Sequence, residues 1–233
     1  MKIATLNIDW AKKSKSLNHF KKIEDYLNQY NFDFFILTEV INLNLKNYKF
    51  KYTSEQIPEN NIYEDLNYSE YLKGEKAFRT IIYSKTKTIS KLKVTDNKTS
   101  CAFEFETDFG NIIIYATIIG TWFNKQPYAK KELENCINDC EVIYKSNPNL
   151  IIVGDLNTSF LENERSYSIN KETTESLKKM VEKLKLNNAT EKIQKNIDHI
   201  IIPKSLEKRI VKSDVFVEKN ILSDHQGVYI QLK

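Results

Sequence analysis

Ser223-Asp224-His225 lies near the C-terminal end of this sequence, and three distant segments carry groups that could act with it. They are Asn7 in ATLNIDW, Glu39 in FFILTEV, and Asp155 with Asn157 in LIIVGDLNTS. In each segment the polar residue closes an apolar run that reads as a buried strand. Carboxylates, amides and one imidazole delivered by several strand ends suit metal-assisted attack of water on a phosphate ester. Asp155 and Asn157 are two apart, so on an extended segment they point the same way. An ionised Asp155 can orient an attacking water or take its proton, and the Asn157 amide can hydrogen-bond a phosphate oxygen. Glu39 is costly to bury unpaired, and Mg²⁺ takes one or two protein carboxylates while keeping several waters. Asn7 can orient that water shell. His225 needs a carboxylate to keep it charged. Asp198 in NIDHIII is a better candidate than its neighbour Asp224, because an acid within a strand requires a cationic or donor partner. His199 points to the other face of that strand by period-two alternation. Each motif also has a plainer reading: Gly-Asp-Leu-Asn as a turn, Glu39 as a solvated strand end, Asn7 as the start of an Asx-turn.

Periodicity supplies the elements that must position these groups. Residues 2–7 read as a first strand, and Leu17, Phe20, Ile23, Leu27 and Tyr30 fall at helical spacing over 17–30. A short apolar strand runs from Asp33 to Thr38 and ends at Glu39. The stretch 41–76 is polar and Tyr-rich and reads as loops with one or two short elements. Strands follow at 77–84 and around Cys101, Phe103 and Phe105. Asp108-Phe109-Gly110-Asn111 then provides hairpin chemistry before IIIYATII. A helix spans Pro127 to Tyr144, Asn147-Pro148-Asn149 breaks it, and LIIVGD is a central strand. Thr173 to Leu184 is amphipathic, and Ile197–Ile202, Val211–Val217 and Val228–Leu232 are the last strands. Strands alternating with helices, with hairpins among them, indicate a layered α/β domain rather than a purely parallel sheet.

With 233 residues, 41% hydrophobic and 28% charged, the chain has the composition of an ordinary globular protein. Five Gly and four Pro leave no flexible linker, so residues 1–233 are expected to form a single catalytic domain. The net charge of +4 permits a polyanionic partner without requiring one. Of the 35 basic residues only Arg79, Arg165 and Arg209 are arginine. Three cysteines, Cys101, Cys136 and Cys140, form no CxxC pair, and their odd number argues against a disulfide framework. No apolar run approaches the length of a membrane span. A reducing, cytoplasmic setting and a monomer are the simplest expectations.

Taken in chain order, Asn7, Glu39, Asp155-Leu156-Asn157, Asp198 and Ser223-Asp224-His225 resemble the motif series of the endonuclease/exonuclease/phosphatase superfamily, the DNase I-like and exonuclease III-like hydrolases. The resemblance spans nearly the whole chain and rests chiefly on GDLN and SDH. It implies a DNase I-like four-layered α/β sandwich, with two packed mixed, largely antiparallel sheets flanked by helices. It also implies dependence on Mg²⁺ or Mn²⁺. Carried over, Asn7 and Glu39 belong to the metal site, with Asp224 as a second acidic contributor to the metal or base function. Asp155 aligns or deprotonates the water, Asn157 holds the phosphate, and His225, oriented by Asp198, contacts the scissile group. The sequence departs from the family at Thr117, where a His or Tyr pointing into the site is expected, and at Thr38, where Gln is common.

Substrate choice is less constrained. GTWFNKQPYAKK follows the Thr117 strand and interleaves Trp122, Phe123 and Tyr128 with Lys125, Lys130 and Lys131. Trp10, Lys12 and Lys13 leave the first strand in the same way. Aromatics stack on bases and lysines meet phosphates; equally, these aromatics can pack beneath the next helix while the lysines are solvated. The expected partner is a nucleic acid, DNA or RNA. The alternative is a small phosphoester: a sugar, a nucleotide or a lipid head group.

Overall fold

A computed structural model describes residues 1–9, 17–56, 62–63, 66–67, 77–120 and 128–233. The strands are β1 (Lys2–Asn7), β2 (Phe34–Ile41), β3 (Phe50–Thr53), β4 (Ile62–Tyr63), β5 (Leu66–Asn67), β6 (Ala77–Ser84), β7 (Thr88–Leu92), β8 (Cys101–Thr107), β9 (Gly110–Ile118), β10 (Leu150–Asp155), β11 (Leu186–Asn188), β12 (Asp198–Pro203), β13 (Ile210–Val217) and β14 (Gly227–Leu232). The helices are α1 (Leu17–Leu27), α2 (Tyr128–Ser146) and α3 (Lys171–Lys183). Twelve of these strands form two six-stranded sheets, ordered β13-β14-β1-β2-β6-β3 and β11-β12-β10-β9-β8-β7. Each sheet is antiparallel apart from one parallel pair at its centre, β1 with β2 and β9 with β10.

The central strands are buried on both faces, which is why FFIL and LIIV read as unbroken apolar runs. Period-two alternation then divides each strand between two cores. Ile3, Phe34, Ile36 and Ile82 of the first sheet meet Ile114, Ala116, Ile151, Val153 and Ile200 of the second. The alternate residues Leu6, Phe35, Leu37 and Ile81 face outward and pack with Ile23 and Leu27 of α1. On the far side, Tyr115, Ile152 and Ile201 pack with Leu133, Cys136 and Cys140 of α2 and with Leu177 and Met180 of α3. The order helix, sheet, sheet, helix is the four-layered sandwich expected from the sequence. Cys136 and Cys140 are buried apolar members of this outer core, and both are free thiols.

The inward series place the polar residues. Asn7 continues Ile3 and Thr5, Asp155 continues Ile151 and Val153, and Asp198 continues Ile202 and Ile200. The site therefore lies at one end of the inter-sheet layer. Two of the boundaries that differ from expectation have a visible cause. Helix α1 stops at Leu27 rather than Tyr30, because Tyr30 turns to donate its hydroxyl to the Phe216 carbonyl at 2.7 Å. Strand β2 does not end at Glu39; its ladder with β6 continues through Val40↔Phe78 and Ile41↔Ala77. The edge strand β7 and the short β11 were not legible, since each is a few residues long and only partly covered.

Candidate active site

Asp155 is the hub. Its carboxylate accepts the side-chain amide of Asn7 at 2.8 Å, the backbone N–H of Asn157 at 2.8 Å and the Asn157 side-chain amide at 2.9 Å. The Asn7 contact crosses from one sheet to the other, so this hydrogen bond registers the two halves of the site. Gly154 makes the approach possible. It sits at φ +139, and a Cβ there would lie 1.9 Å from the carbonyl oxygen of Thr117 on the parallel neighbour β9. The room left by this glycine is thus filled by backbone.

Both readings of the amide motifs hold together. Asn7 accepts the Asp9 N–H at 2.7 Å in an Asx-turn while its amide reaches Asp155. Asn157 stands at φ 48 in a turn after β10, and its amide nitrogen donates to the Ile119 carbonyl and to Asp155, both at 2.9 Å. Those two bonds occupy both amide hydrogens. In this arrangement Asn157 orients Asp155.

His225 is paired as the sequence suggested. Its Nδ1 lies 2.7 Å from Oδ2 of Asp198, whereas Asp224 stands 4.0 Å from Nε2 with its side chain 43% exposed. Asp198 faces Asp155 in the β10–β12 register. One ligand atom from each of Asp155, Asp198 and His225 falls within a sphere where all lie within 4.8 Å of one another. Burial alone would lower the imidazole's pKa, but the charges of Asp198 and Asp155, with the Asp198 hydrogen bond, raise it to about 10, so His225 is an imidazolium at neutral pH. Burial pushes the Asp155 carboxyl up to about 8; the His225 charge and the Asn7 hydrogen bond oppose this, while Asp198 and Glu39 add to it.

This donor set fits a divalent cation on two observations. Three acids, Asp155, Asp198 and Glu39, act on one buried region that holds one imidazolium. Asp198 Oδ1 is buried with no hydrogen-bond partner among the described residues. Oxygen donors of this kind suit a hard cation. Glu39 is half-buried beside the trio and stands at φ 47 within β2. A left-handed glutamate costs roughly 1–2 kcal/mol, and such strain collects at functional positions.

Thr117 is not brought to the site. It is fully buried and shares a face of β9 with Tyr115, whose ring lies in the outer core against α2. Its hydroxyl is hydrogen-bonded with Ser100 at 2.7 Å, and the Tyr115 hydroxyl lies within hydrogen-bond reach of both Ser100 and Asp139. Strand parity thus turns Thr117 away from the inter-sheet layer, correcting its assignment as a substrate contact. The other proposed substrate contacts, Trp10, Trp122 and Lys125, lie outside the described residues.

Sequence reasoning set His199 aside and missed what it does. It is fully buried behind the site, donating Nε2–H to the Thr158 carbonyl at 2.8 Å and accepting at Nδ1 from Asn188 at 3.0 Å. This fixes the turn that follows Asp155. Burial is the main cause of a pKa lowered to about 4, against the opposing Thr158 hydrogen bond and Asp198 charge. The unfolded chain takes up this proton near pH 6.5 and the native state only near 4. The contribution of His199 to stability should therefore fall as pH drops between those values, by up to about 3 kcal/mol, while the raised carboxyl of Asp155 acts in the opposite direction over the same range. Urea unfolding of wild type and His199→Gln from pH 7.5 to 4 isolates it: the stability of wild type relative to the variant should drop through that window.

The architecture is the DNase I-like α/β sandwich. Among solved structures of similar fold are a 3' phosphatase, NExo, from Neisseria bound to a product DNA hairpin, with a TM-score of 0.70 at 13% identity over 100% of this chain and 99% of that one. A second is the 3'-5' exonuclease NExo from Neisseria meningitidis, at 0.66 and 14% identity, covering 100% of both chains. A third is the endonuclease domain of TRAS1, a telomere-specific non-LTR retrotransposon, at 0.63 and 14% identity over 100% of this chain and 97% of that one. No family model matches the sequence, and no curated protein matches it.

Proposed function

We propose that residues 1–233 form one catalytic domain, a divalent-metal-dependent phosphoester hydrolase that cleaves phosphodiester bonds of DNA or RNA. The observation that carries this reading is the His225–Asp198 pair, 2.7 Å apart, set beside an Asp155 that is itself anchored to Asn7 of the other sheet. A proton acceptor at the end of β10 and a cationic donor just before β14 meet across the two sheets, with Glu39 close enough for its charge to act on Asp155. The full-length likeness to a DNA 3' phosphatase, an exonuclease and an endonuclease domain supports the same chemistry.

Glu39 and Asp155, with the unpartnered Oδ1 of Asp198 beside them, are the groups that would hold Mg²⁺ or Mn²⁺, with Asn7 and Asp224 toward its water shell. A cation bound there supplies Lewis-acid withdrawal of charge from the phosphate. Asp155, oriented by Asn157, aligns the attacking water and takes its proton. His225 donates from Nε2 to a non-bridging oxygen as charge builds there, while Asp198 holds the ring by Nδ1. The Neisseria neighbour described as a 3' phosphatase favours one second reading, removal of a terminal phosphate from a nucleic acid end; a small phosphoester is the further alternative.

The test is incubation with Mg²⁺ or Mn²⁺ of plasmid, single-stranded oligonucleotide, 3'-phosphorylated duplex, abasic duplex, RNA and small phosphomonoesters. Cleavage or end-trimming of a nucleic acid that stops with EDTA is expected. Turnover confined to small esters would end the nuclease reading.

A further inference from the structure

Glu39 is held in the left-handed region, and the residue opposite it has a fixed partner on another layer. The flanking pairs Thr38↔Thr80 and Val40↔Phe78 put Arg79 of β6 directly across from Glu39 in an antiparallel ladder. Arg79 is 1% exposed and donates Nη1 to Oε1 of Glu132 at 2.7 Å and to the Thr99 hydroxyl at 3.2 Å. The Glu132 side chain is also 1% exposed. Glu132 belongs to α2, which packs on the outer face of the second sheet, whereas β6 lies in the first. The ion pair therefore ties the two sheets together beside Glu39. A second fastening lies next to it, since Thr80 donates its hydroxyl to the Thr99 carbonyl at 2.8 Å.

We infer that Arg79 is a positioning residue for Glu39: the buried Arg79–Glu132 clamp holds the β6 backbone against which the left-handed glutamate is registered, and so sets where its carboxylate meets a divalent cation. The inference rests on the metal-dependent reading above. A buried guanidinium is an expensive way to join two layers that apolar packing already joins, and fixed geometry at the neighbouring carboxylate is what it supplies. Partners of metal-ligating side chains typically change metal affinity by 10–100-fold when lost.

Mn²⁺ affinity, followed by the paramagnetic resonance signal of the free ion, separates this from a merely structural role. The paired variant Arg79→Met with Glu132→Leu removes one charge of each sign, so the net field at the site is kept while the clamp is lost. Arg79→Lys keeps the charge but not the two-acceptor geometry. Either variant, folded by circular dichroism, should bind Mn²⁺ about tenfold more weakly. Glu39→Gln should weaken binding at least as much. Wild-type affinity in a folded clamp variant, with affinity lost in Glu39→Gln, would overturn the clamp alone. Wild-type affinity in Glu39→Gln would overturn the clamp and the metal assignment together.

Discussion

Replacing Asp155 with Asn should lower kcat for phosphodiester hydrolysis by about a thousandfold while leaving the protein folded, because the substitution removes the proton acceptor and keeps the shape. Three donors converge on this carboxylate, from Asn7 and from the backbone and side chain of Asn157. An amide in its place can still accept from some of them through its carbonyl, but its NH₂ would face donors, so a modest loss of stability accompanies the kinetic effect. The measurement is single-turnover cleavage at saturating Mn²⁺ beside a thermal melt. Activity within tenfold of wild type would remove Asp155 from the chemistry.

The second large effect is on folding. Arg79→Met should cost about 3–5 kcal/mol, since it leaves the Glu132 carboxylate buried without its cation. Adding Glu132→Leu should recover most of that loss, because a buried ion pair replaced by apolar groups of similar volume is often neutral. Urea denaturation of the two single variants and the pair forms a double-mutant cycle. Additive losses would mean that the two side chains do not act as a unit.

Much of this was legible in the chain. The apolar runs FFIL and LIIV announced strands covered on both faces, and the polar residues ending them marked where a site could open. The pairing of Asp198 with His225 followed from a simple need, that of a strand-borne acid for a donor, and the 2.7 Å contact meets it. What could not be read were features set by contacts between layers. Thr117 was misplaced because alternation gives relative facing along a strand but not which face is inner; Tyr115, committed to the outer core, decides it. That Asn157 also braces the turn beside Asp155 could not be read, because its bond to the Ile119 carbonyl joins residues 38 apart. The importance of Arg79 had a faint signal, a rare arginine inside an apolar strand, but its partner lies 53 residues away on a helix.

Strand β14 lies between β13 and β1, joining two segments far apart in the chain, and His225 stands two residues before it. During translation, then, a nascent chain that has already emerged through β12 still lacks its imidazole and leaves the flank of β1 bare. The site is therefore complete only once β14 has paired with β1.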